Sequence, residues 1–126
     1  MPFDYHIDTS LKRAVIKARG PVDIEQVIDI ADKHISDPLW KPGYDVLVDY
    51  QDAEHFEMSN EYTQRFSDYL DIRKSELGNA RIACVMPHNF MFASAKVLQT
   101  MAENFLKVYA FREHDDALAW LAEDKH

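Results

Sequence analysis

Two short apolar runs constrain the fold of this chain more than any other feature. One is Val46–Val48, inside the stretch YDVLVDYQD, and the other is Arg81–Met86, which reads RIACVM. Both have the length of strands, and their apolar residues are continuous rather than alternating, which is typical of strands buried on both faces. Strands of this kind that alternate with helices predict βαβ units and a parallel sheet.

Four segments have the apolar spacing or the end residues that are typical of helices. At the start of the first segment, Asp23 with Gln26 three residues later resembles a capping box. The apolar residues that follow recur at the spacing of one helical face: Ile24, Val27, Ile28, Ala31 and Ile35. We predict helices that begin near Asp23, Ser59, Pro87 and Asp115, the second ending at Gly78–Asn79 and the third near Phe105.

The first twenty residues predict an antiparallel hairpin. Apolar and polar residues alternate over Phe3–Asp8, and a second β-rich stretch, Leu11–Arg19, ends at Gly20–Pro21. Two further strands are predicted at Asp45–Tyr50 and Leu106–Phe111, in addition to RIACVM. The predicted fold is therefore α/β, a single domain over residues 1–126. It has a mixed five-stranded sheet, an N-terminal antiparallel hairpin followed by parallel βα units, and four helices.

Charge and composition narrow the classes of partner. The chain has 14 basic and 22 acidic residues, and its net charge of −8 repels phosphate backbones, which argues against nucleic acid as a partner. One cysteine, Cys84, excludes an intrachain disulfide and fits a reducing compartment. The start MPFDYHID does not have the pattern of a signal peptide, and no apolar run approaches the ~20 residues that span a bilayer. We expect a cytoplasmic protein with no integral membrane association.

Three short segments of the sequence resemble segments of a known family. DPLW at Asp37–Trp40, PGYDVLVD at Pro42–Asp49 and ALAWL at Ala117–Leu121 resemble the SpoIIAA-like proteins. That group is related to the STAS domains of anti-sigma-factor antagonists and, more distantly, to the CRAL-TRIO lipid-binding domains. The resemblance implies a SpoIIAA-like or STAS-like fold and a non-enzymatic regulatory or interaction module.

The resemblance also singles out Ser59. In STAS antagonists, a serine or threonine at the start of the helix after the third strand is phosphorylated, and the added charge breaks the contact with a partner kinase. Ser59 comes closest to that position, which makes it the candidate phosphorylation site. Serine is also a preferred N-cap residue, so the sequence supports a structural interpretation as well.

Polar residues follow the two buried strands. Asp49 and Tyr50 close one strand, and the turn containing His88 and Asn89 follows the other. Because ligands commonly bind at the carboxyl ends of parallel strands, these four residues are candidates for a ligand or partner surface. Asp49 could orient His88 as a general base in a hydrolase or isomerase, or it could accept hydrogen bonds from loop amides. Without a recognisable nucleophile motif, we assign no catalytic residue.

An acidic segment follows Tyr50 and contains residues that can bind metals. These residues are Asp52, Glu54, His55 and Glu57. Their spacing matches no standard zinc or calcium motif, so solvated charges are the preferred interpretation. We therefore expect no metal and no other cofactor.

The third predicted helix begins with Phe90, Met91 and Phe92, which at about 100° per residue span ~200° of its surface. If Val97, Leu98, Met101 and Phe105 face the core together with Phe90, then Met91 or Phe92 must be exposed. An exposed apolar residue there predicts a partner surface, completed by the loop from Asp52 to Ser59.

Two kinds of partner are therefore expected. The leading hypothesis is contact with a protein partner. The alternative is a carrier of a small apolar or lipid ligand, in a pocket between the sheet and the third helix that contains Phe90, Phe92 and Met101. Self-association as a homodimer, through the hairpin edge or the third helix, stays open.

Overall fold

A five-stranded sheet, with its strands in chain order, organises the part of the protein that the structure describes. The structure is a computed structural model that describes residues 2–56 and 59–124. The strands are β1 (Phe3–Asp8), β2 (Arg13–Val22), β3 (Asp45–Phe56), β4 (Arg81–Val85) and β5 (Lys107–Phe111). β1 pairs antiparallel with β2, and each later pair of neighbours is parallel. The predicted mixed sheet with an N-terminal hairpin is confirmed.

The described residues form five helices rather than the four that were predicted. They are α1 (Ile24–Ile35), α2 (Asn60–Ile72), α3 (Lys74–Leu77), α4 (Asn89–Ala102) and α5 (His114–Ala122). The second predicted helix divides into α2 and α3 because Arg73 leaves helical geometry, with φ −96° and ψ 9°. None of the helices within residues 2–56 and 59–124 is long and apolar enough to cross a membrane.

Helix ends follow local chemistry closely. Asp23 and Gln26 form the predicted capping box at the start of α1, with both reciprocal hydrogen bonds at 2.9 Å. Gly78 ends α3 at φ +63°, and a Cβ atom there would lie 2.9 Å from the main-chain nitrogen of Gly43. Glycine is therefore required at this position both by the backbone conformation and by the close approach of a second segment.

Two strands extend well beyond their predicted ends, while the other strand boundaries agree to within two residues. β2 continues through Gly20–Pro21 to Val22, and β3 continues beyond Tyr50 to Phe56, so these two strands pair over a longer distance than expected. The register shifts between Lys17 and Arg19 and again at Gly20–Pro21. These bulges accommodate a glycine at φ +63° and a proline without an N–H, two residues that ordinarily end a strand.

Because successive side chains of a strand point to opposite faces of the sheet, the strands contribute to two separate cores. Val46 and Cys84 face the large core beneath α1, α2 and α4, whereas Leu47 and Ala83 face a smaller core beneath α5. α5 packs against β3, β4 and β5. The polar residues of FDYHID in β1 alternate with apolar residues that face the large core, as expected for a strand covered on one face only.

A buried ion pair joins the start of β3, the start of β4 and the end of α5. The Arg81 guanidinium donates to the Asp45 carboxylate at 2.7 Å, and the Arg81 main-chain N–H donates to the same carboxylate at 2.9 Å. The guanidinium also donates to the main-chain carbonyls of Trp120 (3.1 Å), Leu121 (2.9 Å) and Glu123 (2.8 Å). One side chain thereby binds three carbonyls at the end of α5, of which the Trp120 carbonyl also accepts from the Glu123 N–H.

Replacement of Arg81 by methionine tests this clamp. We expect Arg81→Met to lower the free energy of unfolding by roughly 3–5 kcal/mol, because it removes the guanidinium from a buried ion pair and leaves three carbonyls of α5 without that donor. Urea unfolding followed by circular dichroism measures the change. Arg65→Met, which removes a solvent-exposed ion pair with Glu25, is the control and should leave the midpoint unchanged. Equal midpoints for the two variants would contradict the clamp.

Candidate functional site

Asp49 and Tyr50 point to opposite faces of the sheet. Asp49 is buried and accepts hydrogen bonds from the main-chain N–H of Gln51 at 2.9 Å and from its side-chain amide at 3.2 Å. Tyr50 lies in the large core with its ring edge-on to Phe3. Asp49 thus accepts hydrogen bonds from amides close to it in sequence, but Gln51 belongs to β3 and not to a loop as the prediction had it.

His88 does not form an acid–base pair with Asp49. The imidazole is exposed at the N-cap position of α4, where its side chain makes no capping hydrogen bond. Within residues 2–56 and 59–124, no hydrogen bond joins His88 to Asp49. The hydrolase or isomerase hypothesis required that contact, and the structure does not supply it.

The exposed residue at the start of α4 is Phe90, which corrects the predicted orientation of this helix. The Phe90 side chain is 64% exposed, whereas Met91 is buried and Phe92 is half-buried. The inward face consists of Met91, Ala95, Leu98 and Ala102. The prediction placed the larger residues Val97 and Met101 on the inward face and did not include Ala95 and Ala102. These two small residues allow α4 to pack close to its neighbours.

Arg112 contacts two of the predicted site residues in the first turn of α4, Asn89 and Phe92. Its guanidinium donates to the side-chain oxygen of Asn89 at 2.7 Å and lies 4.3 Å from the centre of the Phe92 ring. Asn89, Phe90, Phe92 and Arg112 together form the carboxyl-edge cluster, located where β4 and β5 lead into α4 and α5. Sequence analysis missed Arg112 because it lies 23 residues from Asn89 and belongs to no motif.

Ser59 caps α2. Its hydroxyl accepts a hydrogen bond from the main-chain N–H of Tyr62 at 3.2 Å, and the side chain is exposed. The structural interpretation of Ser59 is confirmed, and the exposed hydroxyl is also accessible to modification. Of the predicted partner loop, Glu57 and Met58 lie outside the described residues, and Asp52 and Glu54 belong to β3 rather than to a loop.

An apolar cavity of about 50 Å³ lies between the sheet and the helices α1, α2 and α4. α4 contributes Ser94, Ala95 and Leu98 to its wall, so the predicted lining by Phe90, Phe92 and Met101 is wrong. A pocket between the sheet and α4 does exist, but it lies deeper than expected. Further wall residues with polar atoms are His34 of α1, Tyr50 of β3 and Cys84 of β4.

His34 is the unusual member of this wall. It is 4% exposed, and both ring nitrogens are enclosed by protein. The Trp40 ring packs edge-on against the His34 ring, with 4.9 Å between the ring centres. The indole N–H of Trp40 donates to the Glu76 carbonyl at 2.9 Å. Burial lowers the pKa of His34 to about 4, although a hydrogen bond with the Ile30 carbonyl acts in the opposite direction. The imidazole is therefore neutral at pH 7.

Burial also keeps the other ionisable groups of the cavity neutral. It raises the pKa of the Cys84 thiol to about 12 and raises the pKa of the Tyr50 hydroxyl. A thiol with such a pKa is not a nucleophile at pH 7. Within the described ranges, no three His, Cys, Asp or Glu side chains lie close enough together to hold a metal ion.

Comparison with known proteins identifies the fold. A solved structure of an uncharacterised protein from the DUF3478 family, with a SpoIIAA-like fold and from Shewanella loihica PV-4, aligns with a TM-score of 0.60. The two chains are 17% identical over 95% of this chain and 94% of that one. The fold is SpoIIAA-like.

A second solved structure shows the same fold with a lower structural similarity. The anti-sigma factor antagonist SpoIIAA, in its unphosphorylated form, aligns with a TM-score of 0.52 and 15% identity, covering 93% of this chain and 94% of that one. No protein-family model matches the sequence, and no curated protein matches it significantly. The fold suggested by DPLW, PGYDVLVD and ALAWL is confirmed by structure.

The neutral buried state of His34 predicts a specific dependence of stability on pH. The folded-state pKa of about 4 lies below the ordinary value of 6.5, so between these values the unfolded chain binds a proton that the folded chain does not. The free energy of unfolding should therefore fall as the pH falls from 6.5 to 4, by about 3 kcal/mol from this residue.

Urea unfolding of the wild type and of His34→Leu across this pH range isolates the effect. The leucine variant should lose the part of the slope that lies between pH 6.5 and pH 4. Asp8 and Glu76 have lowered pKa values and titrate in both proteins, so the difference between the two curves cancels them. Superimposable pH profiles would show that His34 is not held neutral.

Proposed function

We propose that this protein is a non-enzymatic regulatory or interaction module that contacts a protein partner through the carboxyl-edge cluster. The observation that carries the proposal is Phe90, a large aromatic side chain that is 64% exposed and follows Asn89, the residue that accepts a hydrogen bond from Arg112. The SpoIIAA-like fold supports it, since a protein of similar structure is an anti-sigma factor antagonist.

The chemistry of the carboxyl-edge cluster suits a protein contact. Aromatic residues and arginine dominate the binding energy of most interfaces. Arg112 is already held by Asn89 at 2.7 Å and by the face of Phe92 at 4.3 Å, so less side-chain entropy is lost when a partner binds. A complementary partner would offer an apolar pocket for Phe90 and, next to it, a carboxylate or carbonyl for Arg112.

Ser59 would regulate this contact. It caps α2, which packs against α4, and its exposed hydroxyl accepts a hydrogen bond from the first turn of α2. The N-terminus of a helix favours negative charge, so a phosphate there is compatible with the fold. The effect of modification would then fall on partner contact and not on folding.

The cavity supports a narrower version of the carrier alternative. A space of about 50 Å³ is much smaller than the 300–1,000 Å³ typical of sites for drug-sized ligands. A lipid would require α4 to move away from the sheet. The carrier hypothesis therefore applies to a molecule of only a few non-hydrogen atoms.

Photo-crosslinking at Phe90 tests the interaction proposal. Benzoylphenylalanine at position 90, introduced into the full chain in its native host, should form a discrete protein adduct. The same group at Ile72, which is 78% exposed on α2, should not. An adduct with the mass of two chains would identify a second copy as the partner. Identical adduct patterns at the two positions, or none at position 90, would count against the proposal.

The purified complex with that partner gives the quantitative test. Phe90→Ser should weaken binding at least tenfold, which is about 1.4 kcal/mol, while Ile72→Ser should leave the affinity unchanged. Isothermal titration calorimetry measures both. Equal effects of the two serine variants would remove Phe90 from the interface.

Two replacements of Ser59 separate regulation from capping. Asparagine and aspartate both cap helices well, so Ser59→Asn and Ser59→Asp should keep the unfolding midpoint of the wild type. They differ in charge, and we expect only Ser59→Asp to weaken partner binding, by tenfold or more. Equal binding of these two variants would leave Ser59 with a structural role alone.

A further inference from the structure

The outward face of α4 has apolar residues beyond those of the carboxyl-edge cluster. Phe90 is 64% exposed, Val97 is 36% exposed, and the exposed Ala93 lies between them in sequence. Positions 90, 93 and 97 of a helix fall within about 60° of its surface and cover about 10 Å along its axis. We call Phe90, Ala93 and Val97 the α4 stripe. It extends the apolar surface at Phe90 along the helix by about two turns.

The α4 stripe lies between two flanks of the helix that contact other elements. Ser94 is on the flank next to α2, because it lines the same cavity as Phe66 of α2. On the opposite flank, the Gln99 side chain accepts a hydrogen bond from the Ala110 N–H of β5 at 3.2 Å. α2 and β5 thus occupy the two sides of α4 and leave the stripe exposed to solvent.

The spacing of the α4 stripe is typical of the face that one helix presents to another. Helices pack through apolar residues that recur every three or four positions, with the side chains of one helix between those of its neighbour. Ala93 is small and lies between two larger residues, so the backbone of a second helix can approach closely at this point. A helix laid along the stripe would contact all three residues.

One flank of the α4 stripe is positively charged. α4 contains no Asp or Glu among its 14 residues, although the chain contains 22. The Lys96 ammonium lies 6.0 Å from the centre of the Phe92 ring, and the Arg112 guanidinium lies 4.3 Å from it. Among the ion pairs within residues 2–56 and 59–124, none includes either cation. A complementary partner therefore has carboxylates beside its apolar residues.

A second copy of this chain complements the α4 stripe less well. In an antiparallel pair of stripes, the twofold symmetry brings the same flank of each helix together. Lys96 and Arg112 would then face the same two cations of the other copy, and like charges at an interface oppose association. α4 has no carboxylate to offset them.

We infer that the α4 stripe binds one amphipathic helix of a partner protein, whose apolar face covers Phe90, Ala93 and Val97 and whose acidic flank pairs with Lys96 and Arg112. The inference rests on the proposed protein contact and gives the partner a structure and a charge. A lipid surface is a poorer match, because the net charge of −8 repels anionic membranes.

Selection from a displayed library of single helices tests the inference on the full chain. Each library member has about 18 residues, or roughly five turns. Its apolar face is drawn from leucine, isoleucine, alanine and phenylalanine, and its flanks are drawn equally from glutamate, glutamine and lysine. The wild type should enrich glutamate over lysine on one flank by roughly tenfold or more. Failure to enrich any helix, or equal enrichment of glutamate and lysine, would overturn the inference.

Charge reversal tests whether the named cations select the acidic flank. The double variant Lys96→Glu, Arg112→Glu should enrich lysine in place of glutamate. The control double variant Lys41→Glu, Lys107→Glu makes the same change of charge at exposed positions near the amino ends of β3 and β5. It should still enrich glutamate. The same preference in both double variants would contradict the assignment of Lys96 and Arg112.

Val97 tests whether the contact follows the helix beyond Phe90. Val97→Ser should weaken binding of the enriched helix roughly tenfold or more, while Leu39→Ser, at a loop residue that is 52% exposed, should leave it unchanged. Equal affinities of these two variants would overturn the inference. Sedimentation velocity tests the other occupant, since a wild-type dimer that Val97→Glu converts to a monomer would assign the stripe to a second copy.

The partner identified by crosslinking at Phe90 separates this inference from the protein contact on which it rests. Val97→Ser should weaken binding of that partner by roughly tenfold, as Phe90→Ser does. Weakening by Phe90→Ser alone would overturn the helix and keep the contact at the carboxyl-edge cluster. An unchanged affinity in both variants would overturn the helix and the contact together.

Discussion

The ion pair between Arg81 and Asp45 is the interaction on which the position of α5, and of the smaller core beneath it, depends. Both residues begin central strands, and both side chains are only 9% exposed. By donating to three carbonyls at the end of α5, Arg81 attaches that helix to the amino edge of the sheet. α5 has nine residues, which is too short to be stable alone, so its position must come from tertiary contacts of this kind.

The other face of the sheet is built by close packing and not by an ion pair. Three helices cover this face, and small residues such as Ala31 and Ala95 let them approach the strands. The packing still leaves a cavity with His34 in its wall. Burial of the imidazole keeps the ring neutral at pH 7, so this histidine makes the stability of the core depend on pH.

Local chemistry explains which predictions were confirmed. The capping box of Asp23 and Gln26, the Ser59 cap and the Gly78 helix end each depend on residues a few positions apart, so the sequence contains all the information required. The same holds for Asp49, whose carboxylate binds the main chain two residues later. The errors came from residues whose role depends on a distant neighbour. Gly20–Pro21 continues a strand because β3 lies beside it, and Phe90 faces outward because alanines further along α4 determine the packed face.

The sequence by itself determined the α/β class, the order of strands and helices, and the SpoIIAA-like fold, because hydrophobic periodicity and capping act over a few residues and are legible in the chain. Only the tertiary structure decided what forms a site. It separated Asp49 from Tyr50 by strand alternation, joined Arg112 to Asn89, and enclosed His34 beside Trp40 and the central strands. These arrangements depend on how helices pack across a sheet, where contacts form between residues far apart in sequence. Periodicity shows that a face is buried, and packing decides which side chains meet there.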